Sequence, residues 1–249
     1  MSMLQEVMRA FQDHTARMLV LSAISFIGGY GLYIYSFLLT IKEKRAPFPF
    51  WMHVFYLAHD ITGTVVFGMA AYHNHWFWFF SATSIALLIW NCFEIFNIVM
   101  GVKHERQEIW GRYYSSPVTT RQAIVQTAWL VALMFAVVNL FRVFMHDEVM
   151  FKWFALTNAI MAVFPGFLWN ERRSRAGSSV GLAILIVLVS ANTFLPPGLG
   201  MFTTASTFFD QPWFYITGVI CTVFSIKHLV MLLKYPPKEV VAGQKKPIW

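Results

Sequence analysis

Two histidines and a carboxylate stand inside one long apolar run, Trp51-Met52-His53-Val54-Phe55-Tyr56-Leu57-Ala58-His59-Asp60-Ile61-Thr62. Asp60 falls near the middle of that run, where an ionisable side chain in lipid is expensive and is a functional-site candidate by default. The competing reading is structural, a carboxylate that ties neighbouring helices together. His53 and Tyr56 precede Asp60 by seven and four residues, which places both on its face of a helix. His59 is its immediate neighbour. A carboxylate in that setting is a candidate general acid.

Two other apolar segments carry polar stripes. Asn91, Glu94 and Asn97 recur every three residues in one, and Ser225, Lys227 and His228 cluster in the last. At about 1.5 Å of rise per residue, Asn91 reaches the depth of Asp60, and Glu94 and Lys227 lie at a common depth about one turn away. A Glu94–Lys227 ion pair is therefore expected, because either charge alone in lipid is costly. Asp60, Glu94 and Lys227 are the candidate catalytic residues; His53, Tyr56, His59, Asn91, Asn97 and Ser225 are the candidate substrate-binding ones. Asn91 and Asn97 also fit the role of interhelical hydrogen-bond glue. His73 and His75 resemble a metal pair, but no third ligand of matching depth accompanies them, so no metal is expected.

The elements that must position these groups are membrane spans. Of 249 residues, 57% are hydrophobic and only 12% charged, about half the charge of an ordinary soluble domain. Seven stretches are close to the ~20 apolar residues that cross a bilayer core: Met18–Ile41, Phe48–Ala71, Trp76–Gly101, Gln122–Met145, Val149–Trp169, Gly177–Leu195 and Trp213–Leu233. The expected fold is a single all-α membrane domain of seven helices, with a polar segment over residues 1–16 and a basic tail over 234–249. The formal charge of +7 would suggest nucleic acid in a soluble chain. Here it sets orientation instead, and no nucleic-acid partner is expected.

Fourteen of the nineteen Lys and Arg residues lie in alternate connections, at 42–45, 103–121 and 172–175, and in the tail. The intervening loops, at 72–75, 146–148 and 196–212, have none. The N-terminus is therefore expected outside or in a lumen, and the C-terminus in the cytosol. Trp51, Trp76, Trp78, Trp110, Trp153, Trp169 and Trp213 mark an interfacial belt. Cys92 and Cys221 both lie in apolar segments and read as small core residues. No cleaved signal peptide is expected. Lys245-Lys246 near the end is a near miss for a dilysine retrieval signal.

In order and spacing the chain resembles the small membrane-integrated terpene cyclases of fungal meroterpenoid and indole-diterpene pathways. The resemblance spans the whole chain. It rests on a tyrosine-rich first span (Tyr30, Tyr33, Tyr35) ending in the basic turn Lys42-Glu43-Lys44-Arg45, and on His59-Asp60 where the family has Trp-Glu. The loop Arg172-Arg173-Ser174-Arg175-Ala176-Gly177-Ser178-Ser179 and the segment Phe224-Ser225-Ile226-Lys227, where the family has Phe-Ser-aliphatic-Asp, complete it. Asp60 for glutamate shortens the acid; Lys227 for aspartate removes the second carboxylate, for which Glu94 or Asp210 stands as a substitute.

The resemblance implies an enzyme without cofactor that cyclises or isomerises an isoprenoid-bearing hydrophobic molecule, in the endoplasmic reticulum membrane of a fungus. The residues themselves supply only an acid and a bilayer setting; they indicate no oligomeric state. On that evidence a small-molecule carrier, a retinal-type pigment built on Lys227 and Glu94, and a non-catalytic scaffold are the competing classes.

Overall fold

The structure is a computed structural model that describes residues 1–239 and 246–249; Lys245 of the dilysine-like tail lies outside the described residues. Among these, all regular structure is helical: α1 (Met3–Asp13), α2 (Thr15–Glu43), α3 (Phe50–His73), α4 (Trp78–Met100), α5 (Arg106–Trp110), α6 (Thr120–Phe144), α7 (Phe151–Arg172), α8 (Val180–Thr193), α9 (Met201–Ala205) and α10 (Pro212–Lys234). Six helices are long and apolar enough to cross a membrane: α2, α3, α4 with its continuation to Tyr113, α6, α7 and α10. The segment expected as a span over Gly177–Leu195 forms only the 14-residue α8. At 1.5 Å per residue that is about 21 Å, short of the ~30 Å hydrocarbon core.

Local chemistry sets the ends. Pro47 and Pro49 prevent α2 from running into α3, and the chain turns at Lys44 in the left-handed region. Thr119 and Gln122 close a capping box at the start of α6. The Ser179 hydroxyl accepts the Leu182 N–H to start α8, and Pro212 occupies the first turn of α10. In α7, Gly166 allows α10 to approach. A Cβ at that position would sit 1.9 Å from Cγ of His228.

The helix α3 is the most buried of the spans. It packs directly on α4 and α6, and α8 packs on α2, α7 and α10. Between these two groups, α2 and α7 stand off from α3 and reach it through long side chains. Lipid is as apolar as the helix surfaces, so the hydrophobic effect gives little net drive to helix association there. Packing and polar contacts carry it instead. Thr40 donates to Asn97 Oδ1 (2.8 Å), Ser84 to the Thr64 carbonyl (2.8 Å) and Tyr56 to the Thr157 carbonyl (2.8 Å). Such interhelical bonds contribute about 0.6 kcal/mol each in membranes.

Both faces of the bundle are latched. On the face with the basic loops, a π-helical turn at Gly101–Glu105 delivers the buried Glu105, which accepts the Ala46 N–H (2.9 Å) and pairs with Arg172 (2.7 Å). Arg172 also reaches Glu108 (2.6 Å) and the Ala46 carbonyl (2.6 Å). On the opposite face, Val7 and Phe11 of α1 are buried, with Phe11 stacked on Phe79 at 3.9 Å between ring centres.

Candidate active site

The stand-off between α3 and its neighbours leaves a cavity of about 360 Å³ bounded by α2, α3, α4, α7, α8 and the segment around α9. Its wall is mostly apolar and aromatic: Phe26, Trp90 and Phe154 belong to it, with Met201 and Phe202 from α9. Ile24, Ile27 and Leu188 are at once wall residues and surface residues of α2 and α8, exposed by 49%, 72% and 60%. The cavity therefore reaches the apolar outer surface of the bundle between α2 and α8. Gly28 lies beside that opening, where a Cβ would come within 2.8 Å of the Val189 side chain, so that one of the two would have to shift.

Polar groups on this wall are few. Asp60 is 1% exposed, and each carboxylate oxygen has a partner: Oδ2 accepts the Tyr33 hydroxyl at 3.0 Å, and Oδ1 lies 2.8 Å from His59 Nδ1. His59 is equally buried. Its ring sits among Phe55, Trp153 and Phe154, and its Nε2 has no hydrogen-bond partner among the described residues. Tyr56 also lines the cavity while donating to α7. Ser25, Thr157, Asn158, Asn192 and Thr193 complete the polar lining, with Asn192 donating to Ser25 at 3.3 Å.

Three of the nine residues expected at the site, Tyr56, His59 and Asp60, thus meet on one wall. The others go elsewhere. His53 and Glu94 form a second fully buried pair, Nδ1 to Oε2 at 2.6 Å, outside the cavity lining. The expected Glu94–Lys227 pair is corrected accordingly. Glu94 has His53, and Lys227 lies exposed on α10 with its ammonium 5.6 Å from the Phe224 ring and no carboxylate partner among the described residues. The physical reason is rotational: Glu94 faces α3, while Lys227 stands on the exposed face of α10, a helix packed chiefly on α7 and α8. Ser225 is buried against α7 and bonds its own helix at Cys221 and Thr222.

Asn91 and Asn97 act as glue. Asn91 donates to Thr64 Oγ1 at 3.4 Å, and Asn97 joins α4 to α2 through Thr40. Asp210, the possible substitute carboxylate, is exposed and accepts from Tyr215 at 2.6 Å, away from the cavity.

Sequence reasoning did not assign Tyr33, Trp90, Asn158 or Asn192 to the site. Tyr33 carried a signal in the tyrosine-rich first span, at positions spaced two and three apart. The two asparagines carried none, since a lone amide in an apolar helix reads as glue. No protein-family model matches the chain, and neither a curated protein nor a solved structure matches it.

Proposed function

We propose that this protein is a seven-helix membrane enzyme that uses the Asp60–His59 pair to start an acid-catalysed cyclisation or isomerisation of an isoprenoid-bearing hydrophobic molecule. One observation carries the reading: a buried acid–base pair on the wall of an aromatic cavity that opens toward lipid between α2 and α8. A substrate dissolved in the bilayer reaches such a site sideways without crossing water. The reaction needs a group that gives and retakes one proton, a wall that excludes water, and ring faces that steady a passing cation. Tyr33, Trp90 and Phe154 line the cavity beside Asp60. The size of the cavity is near the lower end of ordinary small-molecule sites.

In this reading α8, with the non-helical residues that flank it, serves as the sixth of seven spans. The N-terminus lies outside the cytosol, and the basic loops and tail lie inside it. The position that carries the second acid in the terpene cyclases this chain resembles is Lys227, on the outer surface of α10, so Asp60 and His59 together do the work of two carboxylates.

The test is conversion of a prenylated precursor by membranes from a heterologous host. Asp60→Asn keeps size and most hydrogen bonding but removes the ionisable group; product should fall by about two orders of magnitude or more at unchanged protein level. Normal turnover by that variant overturns the reading, and saturable substrate uptake without any product would place the protein among carriers.

A further inference from the structure

The cavity wall holds a second polar place, apart from Asp60, at the end remote from the basic loops. Ser25 of α2 and Asn192 of α8 meet there, beside the opening that Ile24, Ile27 and Leu188 frame. Both are half-buried rather than sealed. The Asn192 amide nitrogen donates to the Ser25 oxygen at 3.3 Å. Its Oδ1 has no hydrogen-bond partner among the described residues, yet keeps accessible surface, which His59 Nε2 does not. The Ser25 hydroxyl hydrogen has no acceptor among the described residues either. One donor and one acceptor are therefore left over, and turning the amide over exchanges which atom offers which without changing that count. A plain interhelical bond accounts for the 3.3 Å contact, but not for a donor and an acceptor left open on a cavity wall.

Charge narrows what can use them. Among the described residues the wall carries no Lys or Arg, and its ionisable groups are His59, Asp60 and two tyrosines. A phosphate or carboxylate at Ser25 and Asn192 would lie without a cation in an apolar setting, which is costly. The group held there is neutral.

We infer that Ser25 and Asn192 form a binding subsite for the hydroxyl group of a neutral amphiphile drawn from the bilayer, whose apolar body runs from there towards Asp60. A hydroxyl gives one hydrogen bond and takes another, so it meets the spare donor and the spare acceptor together. An ether only takes one. The inference deepens the function proposed above by giving the ligand a second polar group, and rests on that reading for the reacting end alone.

The two polar places are well separated. Eight residues of α2 lie between Ser25 and Tyr33, whose hydroxyl meets Asp60, a rise of about 12 Å. The lining that α2 supplies over that length, Phe26 to Leu32, has no polar side chain. Asn192 is the residue before the last of α8, so the subsite lies near one end of the bundle. A molecule entering sideways between α2 and α8 thus keeps its hydroxyl close to the level of the headgroups while its apolar part slides inward.

Full-length protein in phosphatidylcholine nanodiscs, photolabelled with a long-chain alcohol that carries a mid-chain diazirine, tests the subsite by competition. Farnesol, farnesyl methyl ether and farnesyl phosphate are compared at equal mole fraction in the bilayer. Farnesol should displace the label at roughly fivefold lower mole fraction than the ether, the ratio expected for one neutral hydrogen bond. The phosphate should compete at least about tenfold more weakly than farnesol. In Ser25→Ala and in Asn192→Leu the alcohol–ether ratio should fall toward unity while the ether itself competes as before. Equal competition by alcohol and ether in the wild-type protein overturns the inference, and so does a phosphate that competes as well as the alcohol. Variants that melt earlier but keep the wild-type ratio would show that the pair only ties α2 to α8, which also overturns it. Alcohol selectivity in a protein that forms no product from any prenylated precursor keeps the subsite and removes the enzyme reading.

Discussion

A double-mutant cycle on His53 and Glu94 tests the rearranged pairing. Both side chains are 1% exposed, and their nearest atoms are 2.6 Å apart. Removing one partner of a buried charged pair costs about 3–5 kcal/mol in soluble proteins. Ordinary interhelical hydrogen bonds in membranes reach about 1.7 kcal/mol at most, because the unfolded chain finds other partners in lipid. His53→Leu, which strands a carboxylate, should fall between these bounds, at roughly 3 kcal/mol. Glu94→Met should also destabilise, since it leaves the buried His53 Nδ1 without its partner. The double variant should recover at least about 1 kcal/mol of the summed losses. Lys227→Met, at an exposed position, should stay within about 0.5 kcal/mol of wild type. Equilibrium unfolding in mixed micelles of rising SDS fraction reads all four. Additive losses for His53 and Glu94, or a coupling between Glu94 and Lys227, would refute the pairing.

Gly166→Ala should destabilise the detergent-solubilised protein markedly, because its Cβ meets the His228 ring at 1.9 Å, whereas Gly111→Ala, whose Cβ has nothing nearer than 3.9 Å, should be tolerated; thermal melts compare them. Asp147, buried between α6 and α7, accepts the Trp153 N–H at 2.8 Å, and burial pushes its carboxyl up from the ordinary value. The folded state then binds its proton more tightly than the unfolded chain, so this group's contribution to stability is fullest at low pH and is lost as pH rises from about 4. Asp147→Asn should flatten that decline in melts taken across the range; an unchanged slope would show that Asp147 does not set it. In a Cys92→Ser, Cys221→Ser background, His75→Cys and Arg112→Cys should react with an impermeant maleimide from opposite sides of sealed vesicles. Labelling from the same side would overturn the topology.

The sequence made some of this legible and hid the rest for definable reasons. Depth along a helix is read from residue counts, so Asp60, Glu94 and Lys227 could be compared by height. Direction around the bundle axis is not. In a soluble helix the apolar stripe reveals the inward face, but a helix in lipid is apolar all round, and only polar residues mark a side. On α3 there were enough of them, and His53, Tyr56, His59 and Asp60 all prove buried. On α10 the marks conflicted. Ser225 and His228 face inward while Lys227 between them faces out, its ammonium carried past the Phe224 ring. A neighbouring basic residue was taken for a member of the cluster because depth was the only coordinate available.

The segment between α8 and α10 shows the same limit from the other direction, and it bears on how the cavity closes. Residues 196–212 have no Lys or Arg and read as a plain loop. Yet Met201, Phe202, Thr203, Ala205, Ser206 and Phe209 are buried, and Met201 and Phe202 form part of the cavity wall. A 14-residue α8 leaves depth to be filled, and this segment fills it as a cap. Its fastening lies far away in sequence: Glu6 of α1 accepts the Ser206 hydroxyl at 2.5 Å and the Thr207 N–H at 3.2 Å. The polar N-terminal helix therefore holds the cap over the end of the cavity remote from the basic loops. Glu6→Gln weakens two charge-assisted bonds to neutral ones, a loss of about 1 kcal/mol or more. That change should raise hydrogen exchange over residues 199–209 while leaving exchange in α3 and α4 unaltered. Equal exchange in the cap of both proteins would show that α1 rests against the bundle without fastening it.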